Sequence, residues 1–315
     1  MINIKLNPLW SKTVLVITFC FLLLLSSYVL IDPKGSAKNL LLIYNFFAIN
    51  FESLFLYFGF GVLVFLVFIA LSKSGSKKII LDGRANYSYF SWYSMLFATG
   101  MGAALLYWST YEWLVYYTNP LEGEEQSLLK ARSYPLFHWM FTGWALYILP
   151  TVAFVFSLMK NSNTPLTFSG ILLKEQSGPI RIILDIFFIG AILTGAGVGL
   201  ALSFPLMSAA ISKLFNLNQT IYLDFLMLLI CMCIVSISVY RGIQNGIKKL
   251  SNFNIILVIT FLTLILVTGP TKYIVINTLE PVTYVLKNYL SLSLFKSQYS
   301  LDWTVFYWAW YIALA

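Results

Sequence analysis

The sequence predicts an all-α protein that crosses a membrane several times. Three observations lead there. The chain is 59% hydrophobic and 10% charged, whereas soluble domains carry roughly 25% charged residues. Its apolar residues fall in runs of about 20, the length a helix needs to cross a hydrocarbon layer of ~30 Å. Its lysines and arginines collect in the connectors between these runs, where they set topology. The net charge of +8 therefore reads as an orientation signal and not as a nucleic-acid surface. Cys20, Cys231 and Cys233 all lie in apolar runs, so neither a disulfide framework nor a zinc site follows. His138 is the sole histidine, which excludes a metal site built from several imidazoles.

The elements follow in order. Lys5 and Lys12 precede span 1, residues 13–31; the run lacks a small-residue cleavage site and reads as a retained span and not a signal peptide. A loop with Asp32, Lys34 and Lys38 is expected next, then span 2 at 51–71 and a basic connector holding Lys73, Lys77, Lys78 and Arg84. Span 3, residues 91–117, is the stretch around which the rest is organised. It reads SWYSMLFATGMGAALLYWSTYEWLVYY, with Gly100 and Gly102 at its middle. Glycines weaken a helix there. They fit two readings: close packing against another helix, or a locally unwound helix whose freed carbonyls face an ion or substrate at the midplane. An acidic loop with Glu122, Glu124 and Glu125 separates it from span 4 at 135–159. Span 5 at 182–214 is long and glycine-rich; span 6 covers 221–240 and span 7 covers 255–267. Pro270 and Pro281 set off a segment containing TYVLKNYLSLSLF, read as a helix lying at the interface. Span 8 begins near Asp302 and the sequence ends at Ala315. The chain thus divides into 1–88 (two spans and a connector), 89–269 (a five-span unit), 270–300 (the interfacial segment) and 301–315, or about seven complete spans and the start of an eighth. The basic connectors 73–84 and 241–249 against the acidic loop put the N-terminus inside.

Two aromatic groups carry the chemistry. In FHWMFTGWALY, Trp139, Trp144 and Tyr147 share one side of a helix. They fit interfacial anchoring or packing, or a box of ring faces for a quaternary ammonium, which donates no strong hydrogen bond and is held by π-faces. In span 8, Trp303, Phe306, Tyr307, Trp308, Trp310 and Tyr311 fit an aromatic belt or a second ring cluster. His138 reads as a hydrogen-bonded structural residue, with a proton relay as the alternative. Glu112 reads as a gate or an interfacial charge, and Asp185 as facing the interface. No Ser/His/Asp set, HExxH or Walker loop is present, so a carrier fits better than an enzyme.

Four motifs, SWYSMLFATGMG, FHWMFTGWALY, VYRGIQNGIKKLSNFNIIL and WTVFYWAW, resemble the betaine/choline/carnitine transporter family and occur in that family's order, over essentially the whole chain. The resemblance implies a secondary transporter with a leucine-transporter-like fold, in which two inverted five-span repeats follow two extra spans. It implies quaternary-ammonium substrates (glycine betaine, choline or carnitine) moved by sodium or proton coupling or by exchange, with a role in osmoprotection. Trp139, Trp144 and Tyr147 match the family's span 4 aromatic box. Trp308 and Trp310 match the span 8 motif, while Tyr311 and Leu314 stand where the family usually has further tryptophans. Ala98, Gly100, Met101 and Gly102 match the unwound part of span 3, where the carbonyls of Ala98 and Met101 would hold sodium. Thr194 matches a second ion site, but Val198 replaces a hydroxyl one turn on. Ala104 stands where some proton-coupled relatives carry an acid, which favours sodium or exchange. The resemblance implies no other cofactor, a homotrimer, and an inner (plasma) membrane location with a cytoplasmic N-terminus. Since the sequence ends inside span 8, the expectation is the N-terminal part of a carrier, truncated after the first repeat and inactive by itself. The alternative is a non-transporting scaffold or regulatory half-carrier that needs a partner chain.

Overall fold

The computed structural model describes residues 12–77, 87–100, 103–120, 125–160, 167–173, 178–294 and 300–314. Throughout these residues the ordered structure is helical. Helix α1 spans Lys12–Ile31 and α2 spans Pro33–Leu71. The loop expected after span 1 shrinks to Asp32, and Lys34 and Lys38 lie on α2. Proline suits the first position of a helix, where no N–H is needed, and the Asp32 carboxylate accepts from the Gly35 N–H at 2.9 Å as an N-cap. With 39 residues, α2 is about 58 Å long at ~1.5 Å per residue, far more than the hydrocarbon layer.

Span 3 is described as helices α3 (Tyr89–Gly100) and α4 (Ala103–Thr118), and Met101 and Gly102 between them lie outside the described residues. Span 4 is divided into α5 (Leu128–Trp139) and α6 (Phe141–Lys160), and the backbone breaks at Met140 with φ −93° and ψ −138°. Pro135 lies inside α5 and does not begin the span. A short α7 (Phe168–Leu172) precedes α8 (Pro179–Phe215), and α9 (Ile221–Tyr240) follows. Gly242, at φ +73°, turns the chain into a π-helical turn, Ile243–Ile247, which leads into α10 (Lys248–Thr268); this backbone region strongly favours glycine. Next come α11 (Thr271–Leu294) and α12 (Ser300–Leu314). Pro281, expected at a boundary, is inside α11. Its carbonyl accepts from Ser133 Oγ of α5 at 3.5 Å, and close packing on α5 offsets the ladder bond a proline removes.

Among the described residues, six helical segments are long and apolar enough to cross a membrane: 12–31, 33–71, 128–157, 179–215, 221–240 and 243–268. Span 3 is missing from that set because each of its two helices is too short alone. The outer faces carry bare apolar side chains, such as Leu24 at 71% and Val267 at 74% exposed, as expected of surfaces that meet lipid tails. The protein is an all-α, multi-pass membrane protein.

Helix α12 packs among α2, α6 and α8, while α11 lies on α5 and α2. The core joins Val62 of α2, Phe137 of α5, Leu146 of α6, Val285 of α11 and Tyr307, Trp308 and Tyr311 of α12. Trp308 reaches its place because Gly59 of α2 has no side chain: a Cβ there would sit 2.7 Å from the indole nitrogen. Asp185, expected at the interface, is only 5% exposed. Its carboxylate accepts from the Ser169 N–H at 2.9 Å and Ser169 Oγ at 2.8 Å, fastening α7 to α8. The first turn of α7 supplies unpaired N–H groups, so the acid has a local reason to leave the interface.

The Gly59–Trp308 contact gives a test. Gly59→Val forces the indole out of its slot and is expected to destabilise by about 1–3 kcal/mol, the usual cost of overpacking. A thermal melt of the purified protein in detergent reads this as a lowered midpoint, and an unchanged midpoint would contradict the packing.

Candidate functional site

The site grows from two neighbouring residues, His138 and Trp139, at the end of α5 and from the face of α12 that carries Thr304, Tyr307, Trp308 and Tyr311. These four follow i, i+3, i+4, i+7 spacing, so they form one stripe. Glu112 of α4 and His138 are both 0% exposed. A buried carboxylate must be satisfied on both oxygens. His138 Nδ1 lies 3.3 Å from Glu112 Oε1, and the Tyr307 hydroxyl donates to Oε2 at 2.5 Å. The other imidazole nitrogen, Nε2, lies 3.0 Å from Thr304 Oγ1. An imidazole with its proton on Nδ1 meets both contacts, donating to the acid and accepting from the threonine hydroxyl. Glu112 and His138 are therefore hydrogen-bonded interior residues, with α4, α5 and α12 tied together through them.

The same tyrosine holds an aromatic ring. Trp139 Nε1 donates to the Tyr307 hydroxyl at 3.2 Å, so this oxygen accepts from the indole while donating to Glu112. The break at Met140 is met by two more phenols. In an unbroken helix the Thr142 N–H would donate to the His138 carbonyl. Here the Thr142 N–H donates to the Tyr289 hydroxyl of α11 at 3.1 Å, and the His138 carbonyl accepts from the Tyr311 hydroxyl at 3.0 Å. Burial pushes the Tyr289 phenol above its ordinary value, while its bonds with Thr142 pull the other way. It remains a protonated hydroxyl at neutral pH. Gly143 lets this happen, since a Cβ there would meet the Tyr311 ring at 2.7 Å and the His138 carbonyl oxygen at 2.9 Å.

Tyr311 is the hub of the rings. It lies 6.2 Å from Trp139 and 5.1 Å from Tyr147, both edge-on, and Tyr147 lies 6.1 Å from Trp144. Trp139, Trp144, Tyr147 and Tyr311 thus form one connected chain across α5, α6 and α12. Trp308 also touches this chain, 6.1 Å from Tyr311, and Trp310 joins it through Phe306 at 5.4 Å, but each has its main neighbours elsewhere. Trp308 is 2% exposed and packs on Phe137 and Gly59. Trp310, about 200° around the helix from Trp308, borders a different cavity of about 530 Å³ together with Thr194, Val198, Tyr44 and Phe306. Ala98 is half-buried near the end of α3, Gly100 is that helix's last residue, and Met101 and Gly102 are not described. Among the described residues no group of three or more acidic, histidine or cysteine side chains is gathered to hold a metal ion. A second cavity of about 480 Å³ opens beside Glu112 and Trp139, with Arg132, Trp113 and Asn277 in its wall.

Residues 13–315 match the family model described as BCCT, betaine/carnitine/choline family transporter. The chain belongs to this transporter family. Among its relatives, a glycine betaine/proline/choline/ectoine transporter of Vibrio parahaemolyticus is 31% identical over 98% of this chain and 56% of its own length. A carnitine transporter of Acinetobacter baumannii is 28% identical over 82% of this chain and 50% of its own. A high-affinity choline transport protein of Escherichia coli is 29% identical over 80% and 39%. The chain spans about half the length of the curated relatives it matches.

Within this BCCT chain, Thr304, Tyr289 and Arg132 are the site residues that the sequence reading passed over. Thr304 was legible in principle from the stripe it shares with Tyr307 and Tyr311. Tyr289 and Arg132 had no local signal, because their partners lie about 140 residues away along the chain. Tyr307→Phe removes one donor from a buried carboxylate and the acceptor of Trp139. It is expected to lower stability by about 1–3 kcal/mol, the cost of an unsatisfied buried group. A thermal melt checks this, and Trp139 fluorescence, isolated by difference from Trp139→Phe, should shift with it.

Proposed function

We propose that this chain is the substrate-binding part of a secondary transporter for quaternary-ammonium compounds of the glycine betaine, choline or carnitine class. The observation that carries the reading is the ring chain of Trp139, Trp144, Tyr147 and Tyr311, joined through one tyrosine and fixed by hydrogen bonds at two of its members. A trimethylammonium group has no N–H to donate, so ring faces are what can hold it. Fixing the rings beforehand keeps the ordering cost of binding small. The names of the relatives, which include betaine, choline and carnitine carriers, support the same class.

In this reading Trp308 supports the rings from the core and Trp310 serves a separate surface. Sodium is the coupling ion, held by carbonyls at the α3 end near Ala98 and Met101, with Thr194 offering a hydroxyl for a second ion. The helix break at span 4 is the kind of discontinuity that carriers use around a midplane site. The chain acts in an inverted-repeat arrangement, as a homotrimer in the inner (plasma) membrane with its N-terminus in the cytoplasm.

The test is uptake of labelled glycine betaine and choline by cells that lack their own carriers and express the gene, in sodium and in potassium medium. Trp139→Leu and Tyr311→Leu should each weaken binding by about 2- to 30-fold, the ~0.5–2 kcal/mol of one lost ring contact. Tyr311→Phe, which keeps the ring, should cost less. Equal uptake by the wild type and both leucine variants would overturn the ring assignment, and uptake indifferent to sodium would overturn the coupling ion.

A further inference from the structure

The cavity of about 480 Å³ between α4, α5 and α11 is of the size that takes a small organic molecule, about 300–1,000 Å³. Its wall has an unusual composition for a membrane protein. Trp113 and Trp139 present indoles, Glu112 contributes a buried acid, and Arg132 contributes a guanidinium. Each charge is held differently. Glu112 has both oxygens occupied by His138 and Tyr307. Among the described residues, the side-chain bonds of Arg132 run to neutral acceptors of α11, through Nη1 to Asn277 Oδ1 and through Nη2 to the Tyr273 hydroxyl at 3.1 Å. Among the described residues no carboxylate forms an ion pair with it.

A guanidinium keeps its charge at any physiological pH and offers five N–H donors in a planar fork suited to a carboxylate. At Arg132 two of its nitrogens are engaged by side chains that fix the orientation of the plane without neutralising it. That is how a receptor for an anionic group is built, and the cavity beside it is bounded by the indole of Trp139. We infer that Arg132 is a carboxylate-binding station, and that the chain selects quaternary-ammonium compounds that also carry a carboxylate over those that are purely cationic. This rests on the quaternary-ammonium reading above and adds to it the second half of the substrate. A zwitterion satisfies the cavity at both ends, with its ammonium toward Trp113, Trp139 and Glu112 and its carboxylate on Arg132. A simple cation such as choline meets the same rings but gains nothing from Arg132 and is repelled by it.

The experiment is a tryptophan-fluorescence titration of the purified full chain in detergent with glycine betaine and, separately, with choline. It compares the wild type, Arg132→Gln and Arg132→Lys, with a thermal melt of each variant to confirm folding. The wild type should bind glycine betaine more tightly than choline. Arg132→Gln should weaken glycine betaine by about tenfold or more, as loss of a charge-assisted contact does, and leave choline unchanged or slightly tighter. Arg132→Lys, which keeps the charge, should recover part of the loss. Equal weakening of both ligands, no weakening of either, or a wild type that prefers choline overturns the carboxylate station and leaves the ring site standing. A folded wild type that binds neither ligand overturns the quaternary-ammonium reading and this one with it. A folded Arg132→Gln that keeps full glycine betaine affinity overturns it even if ring substitutions abolish binding.

Discussion

A carboxylate with no access to water governs the packing around the site. Burying Glu112 unpaired would cost several kcal/mol, so the chain must bring donors to it. They come from two other helices, His138 of α5 and Tyr307 of α12. Those helices are thereby fixed in rotation, because moving either stripe by one residue turns the donor away by about 100°. His138 then passes the constraint to Thr304, and Tyr307 passes it to Trp139. One acid therefore sets the angle of the first ring in the aromatic chain. The sequence reads His138 as a hydrogen-bonded structural residue, which it is, and Glu112 as a gate or an interfacial charge, without linking the two. Which of them would bond the other depends on three helices meeting, and no periodicity reveals that.

The division of span 4 shows the same limit from another side. Trp139, Trp144 and Tyr147 look like one face of one helix, and the ring chain does form. It forms for a different reason than helical spacing, since Trp139 belongs to α5 and the other two to α6. The break at Met140 would ordinarily leave a carbonyl and an N–H unpaired inside a membrane, which is costly. Two tyrosine hydroxyls from α11 and α12 take those places. The bonds that allow the break are thus the bonds that bring Tyr311 up to Trp139 and Tyr147. Only the apolar character of the span and its position were readable; the break depends on partners more than 140 residues away. The apolar runs themselves were legible almost everywhere, because lipid imposes the same composition on every crossing. The errors fall at Asp32, Pro135, Asp185 and Pro281, where a polar side chain or a proline was read by its type while its place in the fold was decided by a cap or by packing.

Span 8 shows one helix serving two sides. Its aromatics do form a connected ring cluster, while α12 lies among three helices and gives the rings different neighbours. Tyr307 and Tyr311 face the break in span 4, Trp308 fills the slot over Gly59, and Trp310 borders the cavity with Thr194. The glycines opposite decide this. Gly59 and Gly143 let large rings reach close to other backbones, while their positions in α2 and α6 carry no periodic signal of their own.

Two kinds of rigidity therefore coexist around the site. The ring chain is held by bonds that begin at a buried acid and end at a broken helix, so its geometry exists before any ligand arrives. Arg132 is held by neutral side chains of α11, a helix that packs on α5 but belongs to no spanning segment. A shift of α11 relative to α5 would move Arg132 and, through Tyr289, also the Thr142 N–H that closes the break. The ring chain and the guanidinium are consequently coupled through α11. Any motion that opens the cavity by shifting α11 must therefore disturb the ring chain and Arg132 together.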